Sequence, residues 1–174
     1  MISFLVAAAI SQALPPDRRH EGDWYVSDTT DNVTGEREVY AFQQYIRAND
    51  PDWVTLTMRC SKGRPTFFVE WQDRSFTDQT VVTIGAMATP NAQPRDEQYI
   101  FEKSDDEILE RGLRASPDTS AKIAAHLDHA SFASVTVHLS AGSRTVKMEV
   151  AGALGAWARV SRHCPVATVP LPPL

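Results

Sequence analysis

The stretch that decides the fold is residues 53–71, which read WVTLTMRCSKGRPTFFVEW. Apolar and polar side chains alternate over residues 53–60, as they do in a strand that buries one face. Ser61–Pro65 has the composition of a turn, and Thr66–Trp71 returns as a second strand. The stretch therefore predicts a β-hairpin, and with it an antiparallel sheet.

Further strands are predicted on both sides of this hairpin, because alternation or aromatic and β-branched composition recurs along the chain. These strands are Arg37–Ile46, Thr80–Met87, Gln98–Glu102, Phe132–Leu139 and Arg144–Val150.

Two segments have helical spacing instead. The first starts at Ser116-Pro117, a typical helix beginning, and runs to Ala130. The second has Leu154, Trp157, Ala158 and Ser161 on one stripe and ends at Cys164. The order of elements predicts an α+β domain, mainly antiparallel β-sheet and sandwich-like, with two short helices covering one face or edge.

Composition limits the class of protein. The 174 residues are enough for one domain with a core, and a hydrophobic content of 43% is typical of globular chains. The formal net charge is −5, and no basic patch is present to neutralise phosphates. These properties argue against nucleic acid as a partner.

The N-terminus is interpreted as a signal peptide over Met1–Ala13, with an apolar run followed by small residues. No Lys or Arg precedes that run and it is short, so a buried N-terminal strand is the alternative. After this segment we predict a leader over 14–22, a single domain over 23–164 and a proline-rich tail over 165–174. No later segment approaches the roughly 20 apolar residues that cross a bilayer, so no transmembrane segment is predicted in the mature chain.

The two cysteines, Cys60 and Cys164, lie far apart and form no CxxC motif. Cysteines in an exported domain generally pair, so we predict a disulfide between them that closes the domain. Two buried free thiols are the alternative if the chain is not exported.

Few residues are candidates for chemistry. His126 and His129 lie three positions apart, so a helix could present both imidazoles to one metal ion. A zinc site needs a further protein ligand, and none is recognisable, so two solvent-facing histidines are the preferred interpretation. The acidic cluster Asp105–Glu110 is interpreted as a solvated surface. We predict no catalytic residue, no metal and no cofactor. Trp53, on the outward face of its strand, is the candidate for contacting a partner.

Two elements of the chain resemble the VasI/TagO-like family, the periplasmic accessory proteins of type VI secretion systems. Thr55–Cys60 is similar to that family's Leu-x-x-Arg-Cys strand, and Val150–Cys164 to its C-terminal helix closing on a cysteine. The resemblance covers about a third of the chain. It implies a periplasmic location and protein contacts with envelope or secretion-system proteins, and it carries no active site.

The leading hypothesis is therefore an exported, non-catalytic accessory or binding protein of the bacterial envelope. One alternative is a small exported hydrolase or metal-dependent enzyme that uses His126, His129 and the acidic cluster. Another is a cell-wall or polysaccharide binding module that uses Trp53.

Overall fold

The computed structural model of the protein describes residues 19–30, 37–45, 53–61, 63–71, 76–104 and 112–164. The predicted signal peptide, the first part of the leader, the acidic cluster and the proline-rich tail lie outside these residues.

Ten strands within the described residues form one sheet, and every neighbouring pair is antiparallel. In chain order they are β1 (Arg19–Glu21), β2 (Trp24–Thr30), β3 (Arg37–Tyr45), β4 (Val54–Ser61), β5 (Arg64–Trp71), β6 (Gln79–Met87), β7 (Arg95–Lys103), β8 (Gly112–Ala115), β9 (Phe132–Leu139) and β10 (Gly142–Glu149).

The sheet has two halves that meet where β5 pairs with β8. The first half-sheet is β1 to β5, and the second runs β8-β7-β6-β9-β10. Strand β10 approaches β3, so the sheet curls and one apolar core fills the space between the halves. The prediction of a sandwich-like α+β fold built on antiparallel sheet is confirmed.

Helix α1 (Pro117–His126) begins where the sequence indicated. The Ser116 hydroxyl accepts a hydrogen bond from the Thr119 backbone N–H at 3.1 Å, and Pro117 fits the first turn because its missing N–H is not needed there. Ser120, fully buried, accepts from the Phe67 N–H at 2.9 Å. This contact fixes α1 against β5.

Helix α2 (Ala153–His163) packs against β3 and β4 through small residues. Its buried positions are Ala153, Ala156 and Val160, which allow close approach to the sheet. The stripe predicted through Leu154 and Ala158 is wrong, since both are exposed, Leu154 by 39%. The face that fits closely against the sheet is the one with short side chains, not the one with Leu154.

The turn between β1 and β2 is joined to the turn before α2, and we call this contact the seam. Asp23 and Ala151 exchange hydrogen bonds of 2.9 Å, and the Trp24 indole N–H donates to the Val150 carbonyl at 3.1 Å. Gly22 has φ +63°, and a Cβ there would lie 2.2 Å from the Ala151 oxygen. Strands β1 and β2 were not predicted, and β1 starts inside the leader.

The predicted disulfide is confirmed: Cys60 and Cys164 are bonded across a separation of 104 residues. The bond joins the end of β4 to the residue after α2.

No helix among the described residues has the length and apolar character needed to cross a membrane.

Candidate functional site

The outer face of the first half-sheet combines aromatic, charged and short polar side chains. Opposed residues on antiparallel strands share a face, so the register gives its rows directly. One row runs from Tyr25 through Phe42 and Thr57 to Phe68, across β2 to β5. The flanking rows are Ser27, Tyr40, Arg59 and Thr66 on one side and Gln44, Thr55 and Glu70 on the other.

A groove of about 280 Å³ opens on this face over β4. Its floor is Thr55 and Thr57, each only 7% exposed because longer side chains rise on either side. The residues that line the groove are Glu38, Tyr40, Phe42, Thr55, Thr57, Arg59 and Glu70. They come from three strands, and the sheet holds them on a rigid surface.

The described residues that line the groove include two carboxylates and one guanidinium. Glu38 and Arg59 form an ion pair at 3.6 Å. The Thr57 hydroxyl donates to Glu70 Oε1 at 3.4 Å, on the opposite side from the aromatic wall. Polar groups with fixed positions beside apolar walls are what a recognition site requires.

An aromatic strip continues from the groove onto β2. The Tyr25 and Phe42 rings stack with centroids 5.4 Å apart and an interplanar angle of 14°. Tyr40 stacks on Phe42 from along the same strand, with centroids 6.1 Å apart. Tyr25 is 41% exposed. Aromatic rings that remain accessible on a rigid element are enriched at protein interfaces.

A second concavity, of about 340 Å³, lies beside the end of α1. Alanines and Met87 make up much of its lining. Its charged side chains, Arg95 and Asp128, contact neighbouring residues of the same chain. Arg95 donates to the His126 carbonyl at 3.3 Å, and Asp128 lies 3.2 Å from His129. The described residues that line this cavity include no Phe, Tyr or Trp, and the groove is the better candidate site.

His126 is buried, so the prediction that it faces solvent is wrong. Its Nε2 lies 3.0 Å from the Ile84 carbonyl oxygen and its Nδ1 3.1 Å from Oε1 of Glu97. Tyr99 donates to Glu97 Oε2 at 2.7 Å, and burial together with this bond raises the pKa of Tyr99. The imidazole therefore connects α1 to β6 and β7. The spacing of residues along α1 did not predict these partners.

His129 does not share the environment of His126. It follows the helix with φ +64°, and its side chain is 92% exposed beside Asp128. The structure therefore does not bring the two imidazoles together. Within the described ranges, no group of three or more His, Cys, Asp or Glu side chains is arranged to hold a metal ion.

The outer face of the second half-sheet is rich in hydroxyl groups. Thr136 and Thr145 are hydrogen-bonded at 2.8 Å. The His138 ring connects the hydroxyls of Thr83, at 2.8 Å, and Ser143, at 3.0 Å. These side chains contact one another across β6, β9 and β10.

Trp53 immediately precedes β4 and is half-buried, and it is not part of the groove lining. Its role in partner contact stays a prediction. Sequence reasoning missed Tyr25, Phe42 and Glu70. Alternation within Arg37–Ile46 does place Tyr40 and Phe42 on one face, and that was the available signal.

Comparison of the chain with family models, with curated proteins and with solved structures gives no match.

Proposed function

We propose that this chain is an exported, non-catalytic binding protein of the bacterial envelope, with the groove and the aromatic strip as its contact surface. The observation that carries the proposal is an accessible stack of aromatic rings, Tyr25, Phe42 and Tyr40, next to a charged groove on a rigid sheet. Aromatic anchors surrounded by polar groups provide most of the binding energy at many protein interfaces.

Export is supported by the Cys60–Cys164 disulfide. Disulfides persist in oxidising compartments such as the periplasm and are rare in the cytosol, where thiols are kept reduced. The signal peptide proposed for Met1–Ala13 would deliver the chain there.

The class of partner follows from the resemblance of Thr55–Cys60 and Val150–Cys164 to type VI accessory proteins. We propose that the contact surface binds a secretion-system or other envelope protein and assists its assembly. A net charge of −5 favours partners with basic surfaces.

Site-specific photocrosslinking in the native host tests the contact surface. A benzophenone amino acid replaces Tyr25 in the full chain, and a matched control replaces Thr145 on the other outer face. We expect one specific adduct from position 25 and none from position 145. Mass spectrometry should identify an envelope protein in that adduct.

A second variant tests whether the adduct depends on the groove. Phe42→Ala should abolish crosslinking from position 25, because it removes the ring shared by the strip and the groove. Adducts of equal yield from positions 25 and 145, or an adduct unaffected by Phe42→Ala, would contradict the proposed surface. Recovery of the protein in the cytosol with two reactive thiols would contradict export.

A further inference from the structure

We propose that the second cavity, beside the end of α1, binds a small zwitterionic amino acid with an aliphatic side chain. The cavity is separate from the groove and the aromatic strip, and the inference does not depend on the proposed function. It is supported by an apolar lining of mostly short side chains, by a guanidinium and a carboxylate in the same lining, and by a volume suited to a small molecule.

The apolar part of the lining consists of alanine methyl groups and one thioether. It comes from the end of β6, the connection to β7 and the chain after α1, and its members are Ala86, Met87, Ala88, Ala92 and Ala130. Short side chains leave the space open, and the flexible methionine adapts to different aliphatic groups. An aliphatic side chain that enters the cavity is therefore removed from water against an apolar surface.

The cation of the lining is Arg95, the first residue of β7. Its Nη2 donates to the His126 carbonyl at 3.3 Å, so the end of α1 holds the guanidinium in place. A guanidinium has several N–H donors in a planar fork, and this contact uses one of them. The fork suits a carboxylate, which accepts two parallel hydrogen bonds from an arginine. Arg95 can therefore bind the α-carboxylate of an amino acid.

The anion of the lining is Asp128, which follows α1 by two positions. Its Oδ2 lies 3.2 Å from Nε2 of His129, and this contact orients the carboxylate. An ionised carboxylate offers about four lone-pair sites, so one contact at Oδ2 leaves sites for a further donor. An ammonium group is a donor of that kind. Asp128 can therefore bind the α-ammonium while Arg95 binds the α-carboxylate.

Charge and size select the class of ligand. Arg95 and Asp128 bring one positive and one negative group to the lining from two different parts of the fold, which is complementary to the two charges of a zwitterion. The volume of about 340 Å³ lies in the lower part of the range of roughly 300–1,000 Å³ for small-molecule sites. This size favours an amino acid over a nucleotide or a large cofactor.

The test is an NMR titration of the full chain with its disulfide intact. The backbone amides of Ala88, Gln93 and Ala130 report on the cavity, and that of Thr57 reports on the groove. The probes are L-leucine, leucinamide without the carboxylate, N-acetyl-leucine without the ammonium, and glycine without the side chain. We expect leucine to bind about tenfold more tightly than each of the other three, and to leave the Thr57 amide unshifted.

Two variants assign each charge to its residue. Arg95→Gln and Asp128→Asn keep polar side chains but remove the charges, and each should weaken leucine about tenfold. Arg95→Gln should also bind leucinamide as well as leucine, because the group that recognises the carboxylate is gone. Asp128→Asn should likewise lose its preference for leucine over N-acetyl-leucine. Arg144→Gln and Asp118→Asn, at exposed positions of β10 and α1, are the matched controls and should bind leucine like the parent.

No binding of leucine at up to about 10 mM, equal affinity of the parent for leucine and leucinamide, or full affinity in either charge variant would each overturn the inference. N-acetyl-leucine bound as tightly as leucine would also overturn it and would identify a site for the carboxyl end of a peptide. The crosslink expected from position 25 does not involve this cavity. Failure here therefore leaves the proposed function standing.

Discussion

The two half-sheets have the same antiparallel pairing, yet their outer faces differ in shape. On the first half-sheet, Thr55 and Thr57 lie between the longer side chains of Phe42 and Glu70, and a groove results. On the second, hydroxyl side chains lie next to one another and form hydrogen bonds among themselves. The groove therefore results from the contrast in side-chain length between neighbouring strands of the first half-sheet.

The halves also differ in how they are held. The first is joined to α2 by the disulfide and by the seam. Helix α1 contacts both halves: the buried imidazole of His126 joins it to the second, and Ser120 joins it to β5 of the first. Loss of the disulfide or of the seam should therefore destabilise mainly the first half-sheet, and loss of the His126 contacts mainly the second.

The largest effect is expected from removing the disulfide. Cys60→Ala with Cys164→Ala should lower the free energy of unfolding by up to about 4.7 kcal/mol, because the loop of 104 residues is no longer closed in the unfolded chain. Denaturant unfolding measures the loss. Amide exchange should increase more in β3 and β4 than in β6 and β9. Equal increases in both halves would show that α2 supports the whole sheet.

The seam should give the next largest effect. Gly22→Ala places a methyl group 2.2 Å from the Ala151 oxygen, whereas a Cβ at Gly142 meets nothing within 4 Å. Gly142→Ala is the control. Both glycines have positive φ, so each variant should lose about 1–3 kcal/mol of folding stability from backbone strain. Gly22→Ala should cost at least about 1 kcal/mol more, as measured by denaturant unfolding. Equal losses would mean that the turns separate without cost.

His126 tests the connection of α1 to the second half-sheet. His126→Ala should destabilise the protein by about 1–3 kcal/mol, because the buried Ile84 carbonyl loses its hydrogen bond from the imidazole. His129→Ala, at an exposed position, should change stability by about 0.5 kcal/mol or less. A zinc titration of the parent and of both variants tests the alternative of a metal site. If the two imidazoles shared a zinc ion, either variant alone would lose zinc binding.

The smallest effect concerns Asp28, in the first half-sheet. A two-point ion pair with Arg37, at 2.5 and 2.7 Å, is the main cause that lowers the pKa of Asp28. Arg159 and His163 of α2 also lower it. The stabilisation is fully present above the unfolded pKa, near 3.8, and is lost as the pH falls through the lower folded value.

Asp28→Asn should therefore cost a little stability at pH 7 and progressively less in acid. Thermal unfolding of the variant and the parent, at pH 7 and at a pH below the unfolded pKa near 3.8, measures this difference. A cost that does not depend on pH would show that the ion pair is not its source.

Much of the fold could be predicted from the sequence, because alternation is a local signal. The hairpin of β4 and β5, strand β9 and the start of α1 follow from it directly. Strand β2 was missed because its sequence, WYVSDTT, has three apolar residues followed by four polar ones and so does not alternate. Strand β8 has four residues, too few to show a period.

The candidate site could not be predicted in the same way. Tyr25, Phe42 and Glu70 are neighbours only because three pairs of strands have a particular register, and that register depends on the whole sheet. The environment of His126 is likewise distant in sequence, because its ring is hydrogen-bonded to a carbonyl of β6 that lies 42 positions earlier in the chain. The disulfide was predictable because the chain has only two cysteines.

The separation of the two cysteines has a consequence for how the molecule is made. Cys60 leaves the ribosome or the translocation channel well before Cys164, and during that interval its thiol has no intended partner within the chain. The seam, too, forms only after Val150 has emerged, 126 positions behind Trp24. Contacts this distant along the chain form slowly. The early thiol is thus exposed to other thiols and to oxidants, and a disulfide-exchange catalyst that protects it would raise the yield of native protein.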